Sequence, residues 1–162
     1  MCAISWIASR RPLCDEGTII RNTQILRIPI LATENQTKID MMTEINKKLI
    51  SELFDKAVVN PRLRQNFDLR NTDDNGQRIL NALMPGTVVP IHRHPNSNES
   101  VIILCGKLIE ITYDNNGNET GRIHLDPSLG NFGCVVPAGA WHTVEVLEPS
   151  LIFEAKDGRY KG

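Results

Sequence analysis

A mainly β sandwich or barrel, with one helix ahead of it, is what this 162-residue sequence predicts. Three observations lead there. Short runs rich in branched and aromatic residues recur between residues 78 and 155, each closed by a Gly, Pro or Asn turn. One segment only, residues 43–58, carries a helical apolar stripe. Finally, a His-x-His pair, a glutamate shortly after it and a third histidine on a distant run form a ligand scheme that strands would aim at one point.

Composition bounds the answer. Hydrophobic residues make up 41% and charged residues 23%, enough apolar surface for one folded domain with an appendage. With 18 basic against 19 acidic residues, the chain has no excess charge to displace counterions from a nucleic-acid backbone, so nucleic acid is not the expected partner. Cys2, Cys14, Cys105 and Cys134 form no Cys-x-x-Cys pair, which favours a reducing compartment over a disulfide framework. The basic pair Arg10-Arg11 follows the first apolar stretch, the reverse of a signal peptide, and no run approaches the ~20 apolar residues that span a bilayer. A cytoplasmic protein without a membrane partner is therefore expected.

Residues 1–42 lack a sustained period of two or 3.6 and read as a flexible or poorly structured N-terminal extension. A second reading puts the true translation start at Met41 or Met42. Residues 43–60 are expected to form the helix: Ile45, Leu49, Leu53 and Ala57 recur every four residues, Ile50 and Phe54 widen the stripe, and Pro61 stops it. Residues 61–162 are assigned to the barrel. It opens with a polar, basic stretch (Arg62, Arg64, Arg70) and a turn-rich segment at 71–76. Strand runs follow at 78–84, 100–104, 107–113, 121–125, 133–136, 143–147 and 151–155. The clearest hairpin is Tyr113-Asp-Asn-Asn-Gly-Asn118, where Asn and Gly tolerate positive φ.

Chemistry concentrates in two places. On an extended strand His92 and His94 lie on one face, roughly 7 Å apart along the chain. The short turn at 95–98 lets Glu99 open the next strand beside them, and Pro137-Ala-Gly-Ala-Trp-His142 delivers a third imidazole. Three imidazoles and one carboxylate suit a single divalent transition metal (Mn, Fe, Co, Ni, Cu or Zn), whereas Ca or Mg would want more oxygens. A lone His-x-His is more often two ordinary histidines. Here three of the chain's four histidines join one scheme, which favours the metal.

The spacing within residues 86–106, from Gly86 through His92, His94 and Glu99 to Gly106, resembles the first cupin motif, and Pro137-x-Gly139-x-x-His142 resembles the core of the second. Two departures are present: the leading glycine of the second motif is displaced to Gly130 or Gly133, and Val146 stands at its trailing asparagine position. More narrowly, Arg62-Leu-Arg64 with Asn66, Gln77-Arg-Ile-Leu-Asn-Ala-Leu-Met-Pro-Gly86, Leu147-Glu-Pro149 and Phe153-Glu-Ala-Lys-Asp-Gly-Arg-Tyr160 resemble the WbuC-type cupin fold metalloproteins. The resemblance implies a cupin-type double-stranded β-helix, a jelly-roll barrel preceded by one N-terminal helix. It also implies a small bacterial metal-binding protein associated with surface-polysaccharide gene clusters, without an established reaction.

Around the metal, Arg78, Trp141 and Tyr160 are the expected substrate-binding residues, with Lys107, Lys156 and Arg159 as further candidates against the reading that they are solvated strand ends. Trp141 would stack on a sugar ring or pack against Pro137. His124 reads as a surface histidine, and Cys105 and Cys134 as small buried hydrophobes. The expected function is a metalloenzyme acting on a small carbohydrate or carbohydrate-derived molecule, an isomerase, oxygenase or lyase whose catalytic residues the sequence leaves unassigned. The alternatives are a non-catalytic sugar or metal binding module and a metal-free sugar-nucleotide epimerase, for which a His and Asp pair would replace the metal set. An open sheet edge invites pairing, so a homodimer is expected.

Overall fold

The computed structural model describes residues 42–71 and 73–158. The expected extension, Met42 apart, lies outside the described residues, as do Arg159 and Tyr160. Helix α1 spans Lys47–Val59. It starts four residues later than its apolar stripe because Asn46, in extended conformation, accepts a hydrogen bond from the Leu49 N–H at 3.0 Å and so caps the first turn. Ile45, left outside, is exposed.

Six antiparallel strands follow: β1 (Arg64–Asp68), β2 (Gly76–Leu83), β3 (Glu99–Tyr113), β4 (Glu119–Leu125), β5 (Gly133–Val136) and β6 (Trp141–Asp157). They are ordered β1-β2-β6-β3-β4, with β5 also paired to β3. Jelly-roll closure rests on β3 and β6, each of which the sequence pattern predicts as two short strands. Gly106, which reads as a turn, instead bends β3 without reversing it. Its φ of 89° is open to glycine, and the pairing to β6 shifts register from Ile103 to Leu108. Each long strand thereby serves two walls of the barrel. Strand β1 reads in the sequence only as polar chain; its ladder, from Arg64↔Leu83 to Asp68↔Ile79, adds a strand to the β2 edge.

Strand alternation sorts the side chains. On β2, Leu80 and Ala82 point outward and join Leu151 against Leu53 and Ala57 of α1. Gln77, Ile79, Asn81 and Leu83 point into the barrel. There Leu83 joins Val101, Ile103, Leu108, Leu125, Val146 and Ile152 in a second core that fills one end. The polar end left open is the site. The expected hairpin joins β3 to β4: the Asp114 N–H donates to the Asn118 carbonyl, and the Asp114 carboxylate accepts from the Asn116 and Asn118 N–H groups at 2.8 Å. Among the described residues, no helix is long and apolar enough to cross a membrane.

Candidate metal centre

Two loops and two strands bring the predicted ligands together. His92 and His142 form an isolated antiparallel bridge, each N–H donating to the other's carbonyl at 3.0 and 2.8 Å. The Gly139 N–H donates to the His94 carbonyl at 2.8 Å, and the Ala138 N–H to the Asn98 Oδ1 at 2.9 Å, so the 137–140 turn is tied to the loop that bears the first two histidines. Glu99, the first residue of β3, is 4% exposed and His142 is 2% exposed, whereas His92 and His94 are half-buried toward the opening. Donor atoms of all four lie within 4.8 Å of one another.

The arrangement suits a metal ion. The Nδ1 of His92 faces the Pro90 carbonyl at 2.9 Å and that of His142 the Ala140 carbonyl at 3.0 Å. An Nδ1–H donating to a backbone carbonyl fixes the tautomer that turns a bare Nε2 toward the metal. Glu99 Oε2 lies 3.0 Å from the Nε2 of His142 and 3.4 Å from that of His94. Ligands bound at about 2.1 Å and at right angles would be about 3 Å apart, so little movement is needed. The Nε2 of His94 is buried and makes no hydrogen bond among the described residues. A cation at the centre would satisfy it. The donor set could thus hold a divalent transition metal.

Electrostatics agree. Burial, reinforced by neighbouring histidines and Lys156, holds His92 and His94 below the ordinary imidazole range and hence neutral, the form that binds metal. Burial also pulls His142 down, but its hydrogen bond with Glu99 and the Ala140 carbonyl outweigh that and raise it. Burial pushes Glu99 up, yet the His142 hydrogen bond and the nearby imidazoles overcome it and keep the carboxyl below its usual range.

The four residues form part of the wall of a cavity of about 360 Å³. Several other polar residues that line it are missing from the candidates read in the sequence. Arg62 and Arg64 line it, and Gln77, Asn81, Glu110 and Glu154 reach it from β2, β3 and β6. Burial pushes the Glu110 carboxyl up to about 8. Burial and the Glu99 charge push Glu154 up to about 7, against the hydrogen bond it accepts from Asn81 at 2.5 Å. A charged residue within an apolar strand, as in Leu108-Ile-Glu-Ile111, was the available signal.

Of the expected substrate residues, Arg78 and Trp141 do not line this cavity. Arg78 alternates with Gln77 and Ile79 and so points out of the barrel, where it pairs with Asp74 at 3.0 Å. Trp141 donates to Asn115 at 3.2 Å and lies under Arg93, whose guanidinium carbon is 4.6 Å from the ring centroid. Lys107 pairs with Asp126 and Glu148, away from the histidines. Cys105 packs against the core beneath α1 rather than in the cavity, and Cys134 packs against the inner core. Burial pushes the Cys134 thiol up to about 12. His124 is exposed on β4.

A family model described as a domain of unknown function, DUF6016, matches residues 45–125. No curated protein matches the sequence. Among solved structures, KdgF from Halomonas sp. is 19% identical with a TM-score of 0.50, over 63% of this chain and 85% of KdgF. The capsular polysaccharide assembling protein CapF from Staphylococcus aureus is 21% identical with a TM-score of 0.54; the match covers 64% of this chain but only 30% of CapF. The protein TT1209 from Thermus thermophilus is 22% identical with a TM-score of 0.54, over 73% of this chain and all of TT1209. At such identities the likeness is one of fold, and that fold is the cupin jelly roll.

Proposed function

This chain belongs to the family of the DUF6016 domain of unknown function, and from that premise we propose that it is a cupin metalloprotein of the WbuC type. His92, His94, Glu99 and His142 hold one divalent transition metal. The observation that carries this reading is the convergence of four donors, one of them a buried nitrogen without a hydrogen bond among the described residues, on the wall of a cavity rich in polar side chains. A metal held by these four residues would supply Lewis acidity toward a substrate oxygen or a water molecule. The chain's own part is to keep the His92 and His94 imidazoles neutral, to orient those of His92 and His142 through the Pro90 and Ala140 carbonyls, and to hold the Glu99 carboxylate ready.

The substrate in this reading is a small carbohydrate or carbohydrate-derived molecule. The polar cavity supports it, and so does the fold shared with CapF, a capsular polysaccharide assembling protein. Bacterial surface-polysaccharide biosynthesis in the cytoplasm is the setting, with residues 61–162 as the barrel and a homodimer as the working assembly. The metal-free epimerase finds less support, because the acidic partner of His142 is Glu99 within a full donor set rather than an isolated dyad.

Elemental analysis of protein purified without added metal tests the core. One equivalent of a transition metal is expected, lost in His94→Ala and His142→Ala. Full occupancy in both variants would refute the site. Turnover in a panel of sugars and sugar nucleotides supports the enzyme, whereas retention of an unconverted sugar supports the binding module. Sedimentation at several concentrations tests the dimer.

A further inference from the structure

The cavity that holds the four proposed ligands carries further polar groups that nothing among the described residues satisfies. Glu110 is 2% exposed, and neither of its carboxyl oxygens has a hydrogen-bond partner among the described residues. Gln77 is 6% exposed and its Oε1 is also unpartnered. Native interiors leave few such atoms, because a buried polar group that has lost water needs another partner. Both residues line the cavity. Its volume of about 360 Å³ equals about a dozen waters at ~30 Å³ each. A molecule the size of a monosaccharide fits.

Positive charge lines the cavity as well. Arg62 and Arg64 line the same cavity, and among the described residues no carboxylate pairs with either, whereas Arg70, Arg78 and Arg122 are paired with carboxylates and Arg93 lies over the Trp141 ring. The chain between them is strained. Leu63 has a φ of 53°, left-handed backbone that a branched side chain seldom adopts, and the Met84 N–H and the Thr87 hydroxyl, both donating to its carbonyl, hold it there. Strain of this kind persists where a neighbouring group has to be presented. The residues presented here carry two guanidinium groups without a carboxylate partner among the described residues.

We propose that the cavity takes an anionic polyol, whose acid group pairs with Arg62 and Arg64 while its hydroxyls hydrogen-bond to Glu110 and Gln77. This assignment rests on the metal reading above for the role of the remaining wall. A guanidinium fork accepts carboxylate and phosphate alike, so a sugar acid and a sugar phosphate share the required chemistry.

Calorimetric titration of the full-length chain with gluconate, glucose 6-phosphate and glucose, with metal content measured on every preparation, tests it. At least one acid is expected to bind about ten-fold or more tightly than glucose, since the charge-assisted bonds are made only with the acid. Which acid binds better distinguishes carboxylate from phosphate. Arg62→Ala, a change at an exposed residue, should lower that affinity about ten-fold while metal content and melting temperature hold. Glu110→Leu should weaken the acid without changing the preference over glucose. The proposal is overturned if glucose binds as well as the acids, if Arg62→Ala and Arg64→Ala leave acid binding unchanged, or if metal-loaded protein binds none of the three. Protein that never carries metal refutes the metal reading, and the arginine comparison then still decides this one.

Discussion

Glu110→Gln should make the metal-free protein more stable, and increasingly so as pH rises. The side chain is buried on the inner face of β3 with no hydrogen-bond partner, and burial lifts its carboxyl from an ordinary 4.5 to about 8. In the unfolded chain it ionises near the ordinary value. Between those two pH values the folded state therefore keeps a proton that the unfolded state has released, and stability falls with pH. The favourable contribution is complete below about 4.5 and is lost as pH climbs through about 8. Each unit of displacement corresponds to about 1.4 kcal/mol, so the loss between pH 5 and pH 8 is on the order of 3 kcal/mol. Glutamine keeps the shape and never ionises. Urea unfolding of both proteins in chelator at pH 5, 6, 7 and 8 isolates the effect, because other titrations largely cancel in the difference. A difference that stays flat across that range, or that shrinks with rising pH, would refute the account of Glu110 as a neutral buried acid.

Other outcomes follow from the same structure. Gly106→Ala should abolish folding or cost more than about 3 kcal/mol, since a Cβ at a φ of 89° would collide with the Pro149 carbonyl oxygen, and circular dichroism with denaturant titration reads it. Leu80→Ala, at a fully buried position beneath α1, should lose about 2–5 kcal/mol in chemical denaturation; a loss under about 1 would mean that the helix does not cover this face. Metal retention should decline on acidification below the ordinary histidine value of 6.5, because protons compete for the nitrogens of His92 and His94, which burial keeps neutral at higher pH. Dialysis against a pH series followed by metal analysis shows whether it does. Arg78→Ala should leave ligand affinity unchanged, as its side chain points away from the cavity toward Asp74; a drop of ten-fold or more would return it to the site.

Local pattern alone determined much of this protein. The 3.6-residue stripe of Leu49, Leu53 and Ala57, the Asn-Gly hairpin after Tyr113, and the His-x-His spacing with Glu99 each encode their geometry within a few residues, because helical faces, tight turns and strand alternation are short-range properties of the backbone. The same brevity misleads where a chain feature depends on its neighbours. Gly106 reads locally as a turn, yet pairing on both sides makes it a bend within one long strand. Arg64 to Asp68 is too polar to read as a strand, and becomes one because the β2 edge offers it hydrogen bonds. Arg78 reads as a better ligand contact than Gln77 until register places one outside the barrel and the other within. Only closure of the barrel decided that Glu110, Glu154, Arg62 and Arg64 share a cavity with the histidines. Their meeting depends on which face each strand turns inward, and that is fixed by which face can bury its apolar residues against the rest of the fold.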